Sequence, residues 1–215
     1  MIKYKLVLFD LDGTLIDTDK LIFMSYLHVF KKYRPDYRVS FNEMLSFLGP
    51  TLMETFKVYF PNLNHDEIIE EYRKYTMENH FKFVSAFKDA ESVLKELKSL
   101  GVHIGIVTSK RKDVAIYGLK QFNLDQYVEL LIDCNDVKKY KPDPEGVNKA
   151  LEYFNVDKED TLMVGDSQSD MLAGIYAGCK VAAVDYSIKG KFYIDLPVNY
   201  VIKELKDIIQ IVKGE

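Results

Sequence analysis

Residues 5–15 read KLVLFDLDGTL, a mostly apolar run followed at once by two aspartates and a glycine. A short apolar run that ends at a turn signal is typical of a strand buried on both faces of a parallel sheet. Alternate residues of extended backbone face the same way, so Asp10 and Asp12 are expected side by side where the strand ends. Ligands of α/β proteins bind at this carboxyl edge of the sheet. The stretch therefore predicts both a fold and the position of a site.

Similar apolar runs recur along the chain and alternate with helical patterns. Besides residues 5–9, strands are predicted at 102–107, 130–132, 161–164, 181–184 and 200–202. Helices are predicted at 86–100, 113–122, 144–154, 169–177 and 204–212. This alternation predicts an α/β fold with a doubly wound parallel sheet.

Residues 18–82 interrupt the alternation, because they contain several helical patterns and no clear strand. We therefore predict a discontinuous α/β core domain of residues 1–17 and 83–215, with a small all-helical domain of residues 18–82 inserted after the first strand. Large aromatic residues mostly serve as packing, so those of the insertion are interpreted as its core and not as a ligand site.

The composition excludes several classes of protein. Apolar residues make up 47% and charged residues 29% of the 215-residue chain, which is ordinary for a globular protein. The net charge of −4 gives no reason to expect nucleic acid or an anionic membrane as partner. Neither Cys134 nor Cys179 has metal-site spacing. No apolar run approaches the roughly 20 residues of a membrane span, and the N-terminus lacks a signal-peptide pattern, so a cytoplasmic protein is expected.

Polar side chains follow other predicted strands as well. Thr108, Ser109 and Lys110 come directly after the strand at 102–107, and Lys141 precedes a Pro-Asp-Pro sequence that favours a helix start. The strand at 161–164 leads into residues 165–170, GDSQSD, whose two aspartates are four residues apart and share one face of a helix.

These residue types point to magnesium and phosphate chemistry. Two carboxylates held close together repel each other unless a cation or a shared proton intervenes, and carboxylate oxygens are the ligands that Mg²⁺ prefers. Lysine, hydroxyl and backbone N–H groups suit a phosphoryl group. The predicted sheet edge brings together two acid pairs, Asp10 with Asp12 and Asp166 with Asp170, and the polar groups of Thr108, Ser109, Lys110 and Lys141.

In this order, the motifs resemble those of the haloacid dehalogenase-like (HAD) superfamily. The matching features are DLDGTL at 10–15, Thr108 after an apolar strand, Lys141 before Pro142, and GDSQSD at 165–170. The helical insertion after the first motif is similar to the C1 cap of the phosphoglycolate phosphatase-like branch. The resemblance implies a HAD-like core, a Mg²⁺ cofactor and a small phosphorylated substrate.

The resemblance also implies a role for each matching residue. Asp10 would be the nucleophile that forms an aspartyl-phosphate, as carboxylates can. Asp12 would act as general acid and then general base, and its backbone carbonyl would bind the metal. Asp166 would be a second side-chain ligand of the metal, and Asp170 would support the site. Thr108 and Lys141 would hold the transferring phosphoryl group, whereas Ser109 and Lys110 either contact the substrate or are solvated.

Other activities of the superfamily leave different marks. Haloacid dehalogenases and phosphonoacetaldehyde hydrolases lack the acid two residues after the nucleophile, where this chain has Asp12. β-Phosphoglucomutases carry a histidine twelve residues after the nucleophile, where this chain has Ile22. The sequence therefore favours a phosphatase. A non-catalytic phosphate-binding module on the same fold is the alternative of a different class, and a purely structural protein ranks last because it gives no reason for acids to gather at strand ends.

The substrate is predicted from stretches of sequence that lie partly outside the four motifs. The stretches 8–22, 47–56, 141–147 and 187–191 (LFDLDGTLIDTDKLI, FLGPTLMETF, KPDPEGV and SIKGK) resemble those of PpaX-type inorganic pyrophosphatases. Phosphoglycolate phosphatases share most of them and remain the alternative. Residues 18–82 are expected to close over the site, with a substrate contact at Gly49-Pro50-Thr51, where a Gly-Pro pair interrupts the helical patterns. Nothing in the sequence distinguishes a monomer from a homodimer.

Overall fold

The computed structural model describes residues 2–48 and 50–215, which form two compact units. Unit 1 comprises residues up to Asp17 together with Ser85–Glu215, and unit 2 comprises Thr18–Val84. The sequence placed the second boundary between residues 82 and 83. The structure places it after Val84, because the last helix of unit 2 continues to Phe83.

Each unit has its own set of elements. The strands are β1 (Leu6–Phe9), β2 (Ile16–Asp17), β3 (Ser85–Ala86), β4 (His103–Val107), β5 (Leu130–Ile132), β6 (Thr161–Gly165), β7 (Lys180–Val184) and β8 (Tyr200–Ile202). The helices are α1 (Asp19–Tyr33), α2 (Phe41–Ser46), α3 (Leu52–Tyr59), α4 (His65–Phe83), α5 (Ala90–Ser99), α6 (Lys112–Gln121), α7 (Glu145–Phe154), α8 (Gln168–Ala177) and α9 (Asp207–Lys213). Within the described ranges, no helix combines the length and apolar character that a membrane span needs.

Six strands of unit 1 form one parallel sheet in the order β5-β4-β1-β6-β7-β8. The chain starts at the centre with β1, builds outward through β4 and β5, and then returns to build the other side from β6. This order confirms the predicted doubly wound sheet. The change of direction places the carboxyl ends of β4, β1 and β6 next to one another.

Strand β1 is fully buried because helices cover both faces of the sheet. Leu6 and Leu8 belong to a core cluster with Val147 of α7 and Met171 of α8. The alternate residues of the strand are equally buried. The apolar run at 6–9 therefore forms a strand because both of its faces find apolar partners.

Two short elements of unit 1 were not predicted from the sequence. Strands β2 and β3 form an antiparallel pair in which Ile16 faces Ala86. The sequence predicts a helix over 86–100, but α5 begins only at Ala90. Asp89, which precedes it, has the left-handed φ of 66°. Pairs of two residues are too short to leave a period-2 pattern in the sequence.

Unit 2 is all-helical in its described residues, and aromatic side chains fill its core. The buried cluster joins α1, α3 and α4 and contains Tyr26, Phe30, Phe47, Phe56, Phe60 and Tyr72. These buried aromatic residues are packing, as predicted, whereas Phe41 and Phe81 of the same unit are exposed. Of the substrate contact predicted at 49–51, Gly49 lies outside the described residues. Thr51 caps α3 by accepting a hydrogen bond from the backbone N–H of Glu54.

The turn after β1 depends on a glycine. Gly13 has a φ of +83°, a conformation that side chains with a Cβ rarely adopt. A Cβ at this position would lie 2.0 Å from Oδ2 of Asp166. Glycine therefore allows the loop after β1 to pass directly against the carboxylate that follows β6.

We predict that Gly13→Ala destabilises the protein more than Gly101→Ala, although both positions have a positive φ. Gly101, at +76°, has no heavy atom of the described residues within 4 Å of such a Cβ. Gly101→Ala, the control, should lower the free energy of unfolding only through strain of the left-handed backbone, by about 1–2 kcal/mol. Gly13→Ala should lower it by about 1–3 kcal/mol more, because the added Cβ displaces Asp166. Urea unfolding followed by circular dichroism measures both, and equal losses would contradict the close approach of the two loops.

Candidate active site

Three neighbouring strands of the sheet end at the candidate site. Asp10 follows β1, and its backbone N–H donates to the carbonyl of Val164 in β6 at 2.9 Å. Thr108 follows β4, and Asp166 follows β6. All three polar side chains are buried at the carboxyl edge where the sheet reverses its direction of growth.

A cluster of three buried carboxylates forms the centre of this site. Asp10, Asp166 and Asp170 each offer one oxygen, and these oxygens all lie within 4.8 Å of one another. The start of α8 positions Asp170 through two hydrogen bonds with Ser167. The side chain of Ser167 accepts from the backbone N–H of Asp170, and the carboxylate of Asp170 accepts from the backbone N–H of Ser167 at 3.0 Å. The sequence-based spacing of Asp166 and Asp170 thus brings both acids to the same point as Asp10.

Lys141 connects two of these acids. Its Nζ donates to Oδ1 of Asp10 at 2.7 Å, to Oδ1 of Asp170 at 2.6 Å and to the carbonyl of Val107 at 2.9 Å. Burial alone would lower the pKa of Lys141, but the charges of Asp10 and Asp170 outweigh it and raise the pKa above its usual value. Lys141 therefore remains an ammonium ion with all three of its donors used.

The carboxylates respond differently to the shared burial. Burial raises the pKa of Asp10 to about 7, against the opposing effect of Lys141. Burial also raises the pKa of Asp166, against the charge of Lys189. At Asp170 the charges of Lys141 and Lys189 outweigh burial and hold the pKa below its usual value. A further cation at this point would oppose the effect of burial on the first two acids.

The residues of the cluster fit a magnesium ion. All of the donor atoms are carboxylate oxygens, which a hard divalent cation prefers to the nitrogen and sulfur ligands of zinc. The absence of side-chain bulk at Gly13 leaves room for the carboxylate of Asp166. The carboxylate of Asp12 is not part of the cluster, so only its backbone carbonyl remains as the expected contribution to the metal.

Asp12 instead pairs with a lysine from the loop after β4. Nζ of Lys110 donates to Oδ1 of Asp12 at 2.5 Å, and both side chains are mostly shielded from solvent. The two acids of the DLDG stretch therefore have different partners, Lys141 for Asp10 and Lys110 for Asp12.

The remaining predicted residues lie on the same loop after β4. The backbone N–H of Thr108 donates to the carbonyl of Ile132 at 3.0 Å, and its Oγ1 accepts from the backbone N–H of Lys110 at 3.1 Å. Accepting this bond leaves the hydroxyl hydrogen of Thr108 able to donate. Ser109 is exposed and lines a small cavity with Thr108 and Lys141. Ser109 is thus the predicted residue with the loosest connection to the acids.

Two further residues of the site were missed from the sequence. Ser187 donates through Oγ to Oδ2 of Asp166 at 2.7 Å, and Nζ of Lys189 donates to its Oδ1 at 2.9 Å. Both lie in the loop after β7, which emerges at the same edge of the sheet. The signal that could have found them is the position of SIKGK at 187–191, directly after the strand predicted at 181–184.

Known proteins are similar to this chain along most of its length. The family model described as haloacid dehalogenase-like hydrolase matches residues 7–184. A protein named pyrophosphatase PpaX from Halalkalibacterium halodurans is 38% identical over 207 residues, which is 96% of this chain and 95% of the relative. A protein of the same name from Bacillus pumilus is 39% identical over 211 residues, covering 97% of this chain and 96% of the relative.

Solved structures show the same fold. A haloacid dehalogenase-like family hydrolase from Streptococcus pneumoniae superimposes with a TM-score of 0.86 at 20% identity, over 97% of this chain and 98% of its own. CbbY from Rhodobacter sphaeroides, in complex with phosphate, superimposes with a TM-score of 0.82 at 18% identity, over 97% of this chain and 96% of its own. The family match and the full-length relatives establish that this chain belongs to the haloacid dehalogenase-like hydrolases.

Proposed function

We propose that the protein is a Mg²⁺-dependent inorganic pyrophosphatase that works through an aspartyl-phosphate on Asp10. The observation that carries the proposal is the position of Asp10 at the end of β1, bound by Lys141 and clustered with Asp166 and Asp170. A nucleophile, a fixed cation and a set of oxygen ligands meet there at the edge where α/β proteins bind their ligands.

Asp10 performs the first step. One of its carboxylate oxygens attacks a phosphorus atom of the substrate, and the bond from that phosphorus to the bridging oxygen breaks. Lys141 orients Asp10 by its hydrogen bond at 2.7 Å and reduces the repulsion between the carboxylate and an anionic substrate. The first phosphate leaves, and the second remains on Asp10.

Asp12 acts as the general acid and then as the general base. It donates a proton to the departing phosphate and later takes one from the water that attacks the phosphorus of the aspartyl-phosphate. This second attack breaks the bond to Asp10 and restores its carboxylate. Lys110, at 2.5 Å from Oδ1 of Asp12, fixes the direction of that carboxylate.

The transferring phosphoryl group needs donors on its other oxygens. The hydroxyl of Thr108 is suitable, and Ser109 and Lys110 extend this set toward the loop after β4. Lys141, whose three N–H groups already donate to protein oxygens, attracts the phosphoryl group through its positive charge. Magnesium is typical of the family; it would be held by Asp10, Asp166 and Asp170 with the carbonyl of Asp12, and when bound it neutralises charge on the phosphoryl oxygens. Positioning and charge compensation supply most of the rate in phosphoryl transfer.

The assignment of pyrophosphate as substrate is supported by the relatives that carry this activity in their name. They align along nearly the whole chain and not only at the motifs that all phosphatases of the family share. Fold likeness alone would not support a substrate. Phosphoglycolate, the alternative from the sequence, is therefore the comparison in the kinetic test below.

We predict that Asp10→Asn loses turnover by on the order of 10³-fold or more, because it removes the covalent nucleophile. Asp113→Asn is the matched control, since its side chain lies 58% exposed on α6. The measurement is phosphate release from pyrophosphate at saturating Mg²⁺, with circular dichroism to verify folding. A folded Asp10→Asn enzyme with near-native activity would refute the nucleophile.

Removal of divalent cations should abolish activity, and Mg²⁺ should restore it. The reason is that three carboxylates provide the only ligand cluster of this kind found among the described residues. Ca²⁺ should restore activity poorly, because its larger and more flexible coordination shell positions carboxylates less strictly. The test is the rate after dialysis against EDTA, followed by titration of each ion. Full activity in excess EDTA would exclude the proposed metal site.

Pyrophosphate should be a better substrate than 2-phosphoglycolate. The measurement is kcat/KM for both, together with common sugar phosphates, on the same purified enzyme with Mg²⁺. A kcat/KM for phosphoglycolate about tenfold above that for pyrophosphate, roughly 1.4 kcal/mol of transition-state stabilisation, would transfer the assignment to phosphoglycolate phosphatase and leave the roles of Asp10 and Asp12 unchanged.

A further inference from the structure

The loop after β7 is anchored to the site by its own contacts. The hydroxyl of Tyr186 donates to the carbonyl of Thr14 at 2.8 Å, and its ring packs on Phe87 with centroids 4.8 Å apart. Ser187 is buried, and its Oγ accepts from the backbone N–H of Lys189 at 3.3 Å. These contacts hold Lys189 in a defined position, so its approach to the acids is a built feature of the loop.

Lys189 supplies the second positive charge of the acid cluster. Its Nζ lies 2.9 Å from Oδ1 of Asp166, a carboxylate with no exposed surface, and the lysine side chain itself is only 21% exposed. Lys141 forms ion pairs with both Asp10 and Asp170, so each of the three carboxylates has one ammonium partner. When all five groups are ionised, the cluster keeps one net negative charge.

We propose that Lys189 is a positioning residue that competes with the divalent cation for Asp166, stabilising the acid cluster without metal and weakening the binding of Mg²⁺. The proposal rests on the metal site of the proposed function. It assigns to Lys189 an effect that neither the motifs nor the named relatives provide, because the residue lies outside all four motifs.

Charge and geometry both favour competition. A cation bound by Asp166 must approach the oxygens that Ser187 and Lys189 already contact. If the ammonium of Lys189 moves away, its buried ion pair with Asp166 is lost. If it stays, its positive charge repels the metal. Both routes lower the affinity for Mg²⁺, and without Lys189 the same three acids would hold two net negative charges.

The test is the affinity of the full-length protein for MgCl₂, measured by isothermal titration calorimetry without substrate. Lys189→Met should bind Mg²⁺ about tenfold more tightly or better, because one positive charge near the metal is removed. Lys189→Arg keeps the charge and should bind as the wild type does. Ser187→Ala removes only a neutral hydrogen bond and should change the affinity by less than about threefold.

Thermal melting supplies a second readout that does not depend on activity. In EDTA, Lys189→Met should melt below the wild type, and Mg²⁺ should raise its Tm by more than it raises that of the wild type. Lys191→Met, on an exposed lysine two residues further along the same loop, should match the wild type in both measurements. If Lys189→Met does not fold in EDTA, Lys189→Gln takes its place in both experiments.

Two results would contradict the inference, and they are distinguishable. Equal or weaker Mg²⁺ binding by Lys189→Met, with normal binding by the wild type, would exclude competition and leave the metal site in place. No Mg²⁺ binding by the wild type would remove the proposed metal site and this inference together.

Discussion

The site depends on the burial of three carboxylates at one point, which is stable only with compensating positive charge. Asp10, Asp166 and Asp170 bring oxygens within 4.8 Å of one another in a part of the sheet that excludes most solvent. Unpaired buried charges cost several kcal/mol each. Lys141 provides the first compensation and Lys189 the second. With both lysines in place the three ionised acids keep one net negative charge, which is available to bind a cation.

The fold supplies this arrangement through strand order. Because β1 lies between β4 and β6, the residues that follow these three strands meet at one edge, although Asp10 and Asp166 are 156 residues apart in sequence. Gly13 then allows the loop after β1 to pass against Asp166. Backbone geometry and electrostatics are thus coupled, since the loop that carries Asp12 also shapes the space around the acid that follows β6.

The sequence predicted the sheet and the central acids because both have strong local signals. Apolar runs fix buried strands, and the acids directly follow such runs, so their convergence at the sheet edge follows from parallel topology alone. The β2–β3 pair escaped prediction because two residues carry no periodicity. Lys189 escaped because a lysine in a loop is usually solvated, and only the path of the chain after β7 shows that it reaches Asp166. The pairing of Asp12 with Lys110 likewise depends on side-chain positions that spacing does not give.

The central claim is that Asp10 becomes covalently phosphorylated. The direct measurement is rapid acid quenching of the enzyme during turnover of pyrophosphate, followed by proteolysis and mass spectrometry of the peptide that contains Asp10. The account predicts a mass increase of one phosphoryl group, assigned by fragmentation to Asp10 and reversed by treatment with hydroxylamine, to which acyl phosphates are sensitive. Steady turnover with an unmodified Asp10, or with the phosphoryl group on another residue, would contradict it.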